Sequence, residues 1–150
     1  MEKMERGKAI MNSSIEVLVD SDAFVGGMLE HDAHYKEAKT IFASLKEKSV
    51  QIATTNAVIG ETATVLSHLA GQQIANKFLT TTTILGGILV VHVDENIHEE
   101  ALKLFMKQQI KGTSYVDCVN VTVCRKLNIP YIFSFDKAYP KHFGLELLKN

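Results

Sequence analysis

The chain has 150 residues, 46% of them hydrophobic and 22% charged, with a formal net charge of −1, two prolines and two cysteines. That composition belongs to one compact globule able to bury about two thirds of the surface its unfolded form exposes. The charge balance excludes a strongly basic, sequence-blind nucleic-acid binder, though not an enzyme that grips a polynucleotide locally. The longest apolar run is well short of a bilayer span, so no membrane association is expected. Cys118 and Cys124, six apart in a helical-looking stretch, point in different directions and read as small buried hydrophobes. With no secretory signal, they imply a reducing cytoplasm.

Residues 1–14 are polar and aperiodic and read as a flexible N-terminal extension to a single domain over 15–150. A first strand, Val17-Leu18-Val19, runs straight into Asp20-Ser21-Asp22, with a short helix or turn at Ala23-Phe24-Val25. His34, Tyr35, Ala38, Ile41, Phe42 and Leu45 recur at helical spacing, and 50–53 is a short second strand. Thr54-Thr55-Asn56 caps a helix to about Leu69, stopped by Gly71, with Ile59, Thr62, Leu66 and Leu69 on one side. A helix over about 72–85 follows, with Ile74, Phe78 and Leu85 inward, then Gly86-Gly87 and a buried strand over 88–93 that includes His92. Ile97, Ala101, Leu104, Phe105 and Gln108 predict another amphipathic helix, and Ser114 caps one carrying Val116, Val119, Val123 and Leu127. Strands over 131–134 and 145–148 end the chain. Strands alternating with helices, and no tight hairpin signal, predict an α/β fold: one domain, a mostly parallel central sheet, helices on both faces.

Four carboxylates stand out by position. Asp20 ends the first strand, and Asp136 follows the strand before it in Ser134-Phe135-Asp136. Glu61 interrupts an apolar stripe between Val58 and Val65, and Asp117 lies three residues past Ser114, at capping-box spacing. In a parallel sheet with right-handed crossovers, strand ends and the starts of the following helices share one edge. Each acid alone could be a turn or capping residue. Four together repel unless something positive joins them, most simply a divalent metal. Oxygen ligands without a matching histidine or cysteine set favour Mg2+ or Mn2+ over zinc. Such an ion serves phosphate chemistry, and no other nucleophile motif or phosphate loop is present.

Val19-Asp20-Ser21-Asp22-Ala23-Phe24, Glu61 after Thr55-Asn56-Ala57-Val58-Ile59-Gly60, Asp117 in Ser114-Tyr115-Val116-Asp117, and Ser134-Phe135-Asp136-Lys137 with Phe143 together resemble the signature of the PIN-domain ribonuclease family. The likeness spans nearly the whole chain, about 16–148, in the family's order. It implies a metal-dependent endoribonuclease in which metal-activated water cuts RNA to 5′-phosphate and 3′-hydroxyl ends. Asp20, Glu61, Asp117 and Asp136 would be the catalytic, Mg2+- or Mn2+-binding quartet, supported by Ser21, Asp22, Asn120 and Ser134. It also implies a VapC-like toxin, with an antitoxin protein across the acidic groove and a homodimer formed through helices. The long N-terminal extension and scarce arginine depart from such toxins. A haloacid-dehalogenase-like phosphatase with Asp20 as nucleophile is the alternative enzyme, although no Gly-Asp pair follows a later strand and Glu61 would have no role. A non-catalytic PIN-fold RNA scaffold is the third reading.

Overall fold

Five parallel strands in the order β3-β2-β1-β4-β5 form the sheet in the computed structural model, which describes residues 15–109 and 111–150. The extension expected at 1–14 lies outside the described residues. In chain order the elements are β1 (Ile15–Val19), α1 (Ser21–Met28), α2 (Tyr35–Glu47), β2 (Gln51–Thr55), α3 (Asn56–Ala70), α4 (Gln72–Leu79), a π-helical segment (Thr80–Ile84), β3 (Leu89–Val91), α5 (Glu95–Met106), α6 (Tyr115–Leu127), β4 (Tyr131–Phe133), α7 (Ala138–Phe143) and β5 (Glu146–Leu147).

β1 is the middle strand, with Leu18 opposite Ala53 of β2 on one side and Ile132 of β4 on the other. Both its faces are covered, which is why its apolar run is unbroken. Successive side chains alternate between two cores. Leu18 and Ile132 face α5, α6 and α7, while Val17, Val19 and Phe133 face α1 to α4. From β1 the chain order steps outward to β2 and β3, and then returns to the opposite side for β4 and β5. The order therefore reverses between β1 and β4, and the crevice beyond their carboxyl ends is where such sheets take ligands. Asp20 follows β1 there, its N–H bonded to the Phe133 carbonyl (3.0 Å), and Ser134 follows β4.

The helix starts follow from local chemistry. Thr55 accepts from Val58 N (3.0 Å) to cap α3, Asp94 from Ile97 N (2.8 Å) to cap α5, and Ser114 and Asp117 form a reciprocal capping box on α6. Asn128 and Gly144, both left-handed, end α6 and α7.

Several expectations are corrected. The helix over 72–85 stops at Leu79, where four successive threonines begin. The hydroxyls of Thr81, Thr82 and Thr83 donate to the carbonyls of Lys77, Phe78 and Leu79, and this competition with the backbone ladder accompanies the wider π turn. Leu69 and Leu85, expected inward, are 66% and 75% exposed, and Phe105 is also exposed. β3 ends at Val91, so His92 lies past the strand and is exposed. The stretch before 145 carries a helix, α7, that the sequence reading left unassigned. Pro140 sits in its first turn, where a missing N–H costs nothing. The free cysteines are both buried, as expected. Among the described residues no helix is long and apolar enough to cross a membrane.

Candidate active site

Asp20 is the hub of the crevice. It caps α1 and is only 4% exposed, yet both carboxylate oxygens are engaged. Oδ1 accepts from Ser21 N (2.8 Å) and from Asn120 Nδ2 (3.0 Å). Oδ2 accepts from Ser134 Oγ (3.1 Å) and from the Tyr139 hydroxyl (2.9 Å). Burial, then the neighbouring Asp22 charge, pushes its carboxyl up to about 7, against the pull of the Ser21 and Tyr139 hydrogen bonds.

The capping box that starts α6 holds Asp117 through its Oδ2, leaving Oδ1 3.0 Å from the Tyr139 hydroxyl. One phenol thus stands between Asp20 and Asp117, while Asn120, one turn further along α6 and fully buried, donates to it at 3.1 Å. Burial, then the charges of Asp20 and Asp117, drives the Tyr139 pKa far up, so the phenol stays protonated. Ser134 bridges in the same way between Asp20 and Asp22 Oδ2 (3.0 Å). Asp22 also accepts from Phe135 N (2.8 Å), tying α1 to the end of β4, and burial raises its pKa. Glu61, half-buried on α3, accepts from Ser21 Oγ (2.7 Å). Asp136 accepts from Ala138 N (2.9 Å) to start α7 and donates its own N–H to Ser134 Oγ (3.1 Å).

Counting donors shows what the arrangement lacks. Tyr139 and Ser134 each have one hydroxyl proton and each stands between two carboxylates. Asp22 Oδ1 and Asn120 Oδ1 are buried with no hydrogen-bond partner among the described residues. Buried acceptors without donors are costly, and either protons or a cation would complete them. The donor set is oxygen throughout, which suits a hard divalent cation. As placed, no three acids converge tightly enough to hold an ion among the described residues. Asp20, Asp22 and Asp117 are joined by shared hydroxyls and Glu61 through Ser21, whereas Asp136 reaches Ser134 only by its backbone N–H while its carboxylate accepts from Ala138 N.

All eight residues singled out from the sequence lie in this one network. Tyr139 was missed. Its signal was the pair Tyr139 and Phe143 at helical spacing after Asp136, both buried on one face of α7.

The profile of the family described as PIN domain matches residues 17–142. The chain belongs to the PIN-domain family. A VapC ribonuclease from Archaeoglobus fulgidus is 27% identical over 124 residues, 81% of this chain and 78% of that one. The 23S rRNA-specific endonuclease VapC20 of Mycobacterium tuberculosis is 30% identical over 107 residues, 70% of this chain and 77% of that one. The crystal structure of M. tuberculosis VapC20, described as a Sarcin-Ricin loop cleaving toxin, superposes with a TM-score of 0.81 at 26% identity, covering 90% of this chain and 100% of that one. VapBC2 from Rickettsia felis, bound to a promoter DNA fragment, shares the fold alone: TM-score 0.60 at 16% identity, over 89% of this chain and 97% of that one. In this PIN domain the acids thus stand at the crevice that the strand order creates.

Proposed function

We propose that this PIN-domain protein is a metal-dependent endoribonuclease and the toxin of a toxin–antitoxin pair. The observation that carries the reading is the buried Asp20, joined to Asp117 by one phenol and to Asp22 by one serine hydroxyl, with too few donors for so many acceptors. Asp20, Glu61, Asp117 and Asp136 would hold Mg2+ or Mn2+, and Ser21, Asp22, Asn120, Ser134 and Tyr139 would orient them. Such an ion, when bound, supplies Lewis acidity toward water and phosphate oxygens. The protein's own part is to fix the acids. Asn120 and Tyr139 hold the Asp20 and Asp117 carboxylates at a set separation, and Ser21 holds Glu61 toward the same edge. Lys137, beside Asp136 at the start of α7, and Lys141, in its last turn, are both exposed and supply positive charge for an RNA backbone. The relatives, a VapC ribonuclease and the rRNA endonuclease and toxin VapC20, support the reading. An antitoxin protein is the partner that this reading assigns, and the toxin would pair with a second copy of itself.

The phosphatase reading has less support: the PIN-domain match covers residues 17–142, no Gly-Asp pair follows a later strand, and Glu61 would have no role in it. The test is cleavage of single-stranded RNA in Mg2+ or Mn2+. Asp117→Asn, which keeps an acceptor for the capping box, is expected to abolish cutting while the far-UV spectrum stays native. A variant that cuts at the wild-type rate would refute the assignment, and RNA bound but never cut by the wild-type protein would favour the scaffold.

A further inference from the structure

The acids and hydroxyls make up the buried side of the crevice; its rim is aromatic. Phe135 lies between Ser134 and Asp136, is half-buried, and gives its backbone N–H to Asp22, so its position is tied to the acids. The imidazole of His34 lies on that ring, centroids 4.0 Å apart and planes 3° from parallel. The two rings are stacked parallel, with centroids closer than in most aromatic pairs. Phe135 meets Phe133 in the commoner way, edge-on at 6.0 Å and 75°. His34 is exposed and makes no capping bond to α2, while its backbone N–H is held by Asp32 Oδ1 at 2.8 Å. One face of the imidazole is covered by Phe135, and no second ring lies against it among the described residues. Behind the pair the rings continue inward from Phe133 to Phe42, Phe24 and Phe78. The platform is therefore braced by rings from α1, α2 and α4.

We infer that the His34–Phe135 stack is the seat of one unpaired nucleobase of a single-stranded RNA, beside the phosphodiester that the acids face. The inference rests on the ribonuclease reading and adds a binding subsite to it. Every base offers a π-face, so a planar heterocycle at the rim takes any base that is free of its partner. A base held in a duplex cannot reach it, which makes the seat a filter for loops and single strands.

The probe is a set of single-stranded RNA oligonucleotides carrying 2-aminopurine at successive positions, added to the full chain with Asp117→Asn in Mg2+. Fluorescence is expected to be quenched at one position. His34→Ala should remove the quenching and weaken binding about tenfold, and His34→Phe should restore both. An abasic residue at that position should weaken binding to the His34-containing protein by the same factor, and binding to His34→Ala not at all. In the chain with Asp117 intact, His34→Ala should raise KM with kcat held. Equal affinity and unchanged fluorescence in His34→Ala would overturn the inference. The two readings fail separately: His34-dependent quenching by a protein that cuts no RNA keeps the seat and ends the nuclease assignment. RNA cutting with a KM indifferent to His34→Ala does the reverse.

Discussion

Asp20→Asn in the metal-free protein tests the buried carboxylate directly. Folding moves this carboxyl from an ordinary 3.8 to about 7, chiefly by burial, which disfavours its ionised form by about 4 kcal/mol. Below about pH 4 folded and unfolded chains both hold the proton and the cost is absent. As pH rises toward 7 the unfolded chain releases a proton that the folded one keeps, so this group's contribution to stability falls and is gone above the folded value. The asparagine variant has nothing to ionise, and the hydroxyls of Ser134 and Tyr139 can accept from its amide as well as donate. Urea unfolding in EDTA at a series of pH values is the assay. Relative to wild type, Asp20→Asn should gain about 4 kcal/mol between pH 4 and pH 8, somewhat less where Asp22 relaxes in the wild-type protein. At pH 8, Mg2+ at a hundredfold excess over its Kd should return about 2.7 kcal/mol to the wild type and far less to the variant. Parallel stability curves for the two proteins across this range would refute the description of Asp20 as a desolvated acid awaiting a cation.

Tyr139→Phe removes the hydroxyl shared by Asp20, Asp117 and Asn120. Hydrogen bonds to charged groups are worth about 1.5–3 kcal/mol, so kcat should fall by at least tenfold with the circular dichroism spectrum unchanged; an unaltered kcat would remove the phenol from the site. Replacing Asp117 by Ala instead of Asn also takes away half of the α6 capping box, and should cost about 1 kcal/mol of stability in urea titration that the Asn variant retains. Changing Lys137 and Lys141 together to Ala should flatten the dependence of log K for RNA on log salt by about 1.4, measured by filter binding, and an unchanged slope would place the RNA elsewhere.

The sheet was legible because β1 carries its environment in its composition. Only a strand covered on both faces needs Val17-Leu18-Val19 without a polar residue, and only its far end can take an acid. Asp117 was legible through the spacing to Ser114, since a capping box is written in four consecutive residues. What was not legible depends on distant partners. Leu69 and Leu85 share the helical spacing of buried neighbours, but periodicity tells which residues face the same way and not whether anything covers them. The π turn at Thr80–Ile84 comes with three hydroxyls bonding back to carbonyls, a competition no hydrophobic pattern reports. Asn120 looked like a secondary residue one turn beyond Asp117, and its weight came from touching Asp20 across a hundred positions of chain. Tyr139 was overlooked for the same reason, in a helix of only six residues.

The hydrogen bonds that shape Asp20 come from Asn120, Ser134 and Tyr139, separated from it by 100, 114 and 119 positions. No early portion of the polypeptide contains both halves of that arrangement. During synthesis the acids of β1 and α3 emerge long before the segment that orders them. A growing chain therefore cannot assemble the surroundings of Asp20 until Tyr139 and the rest of α7 have been made and docked.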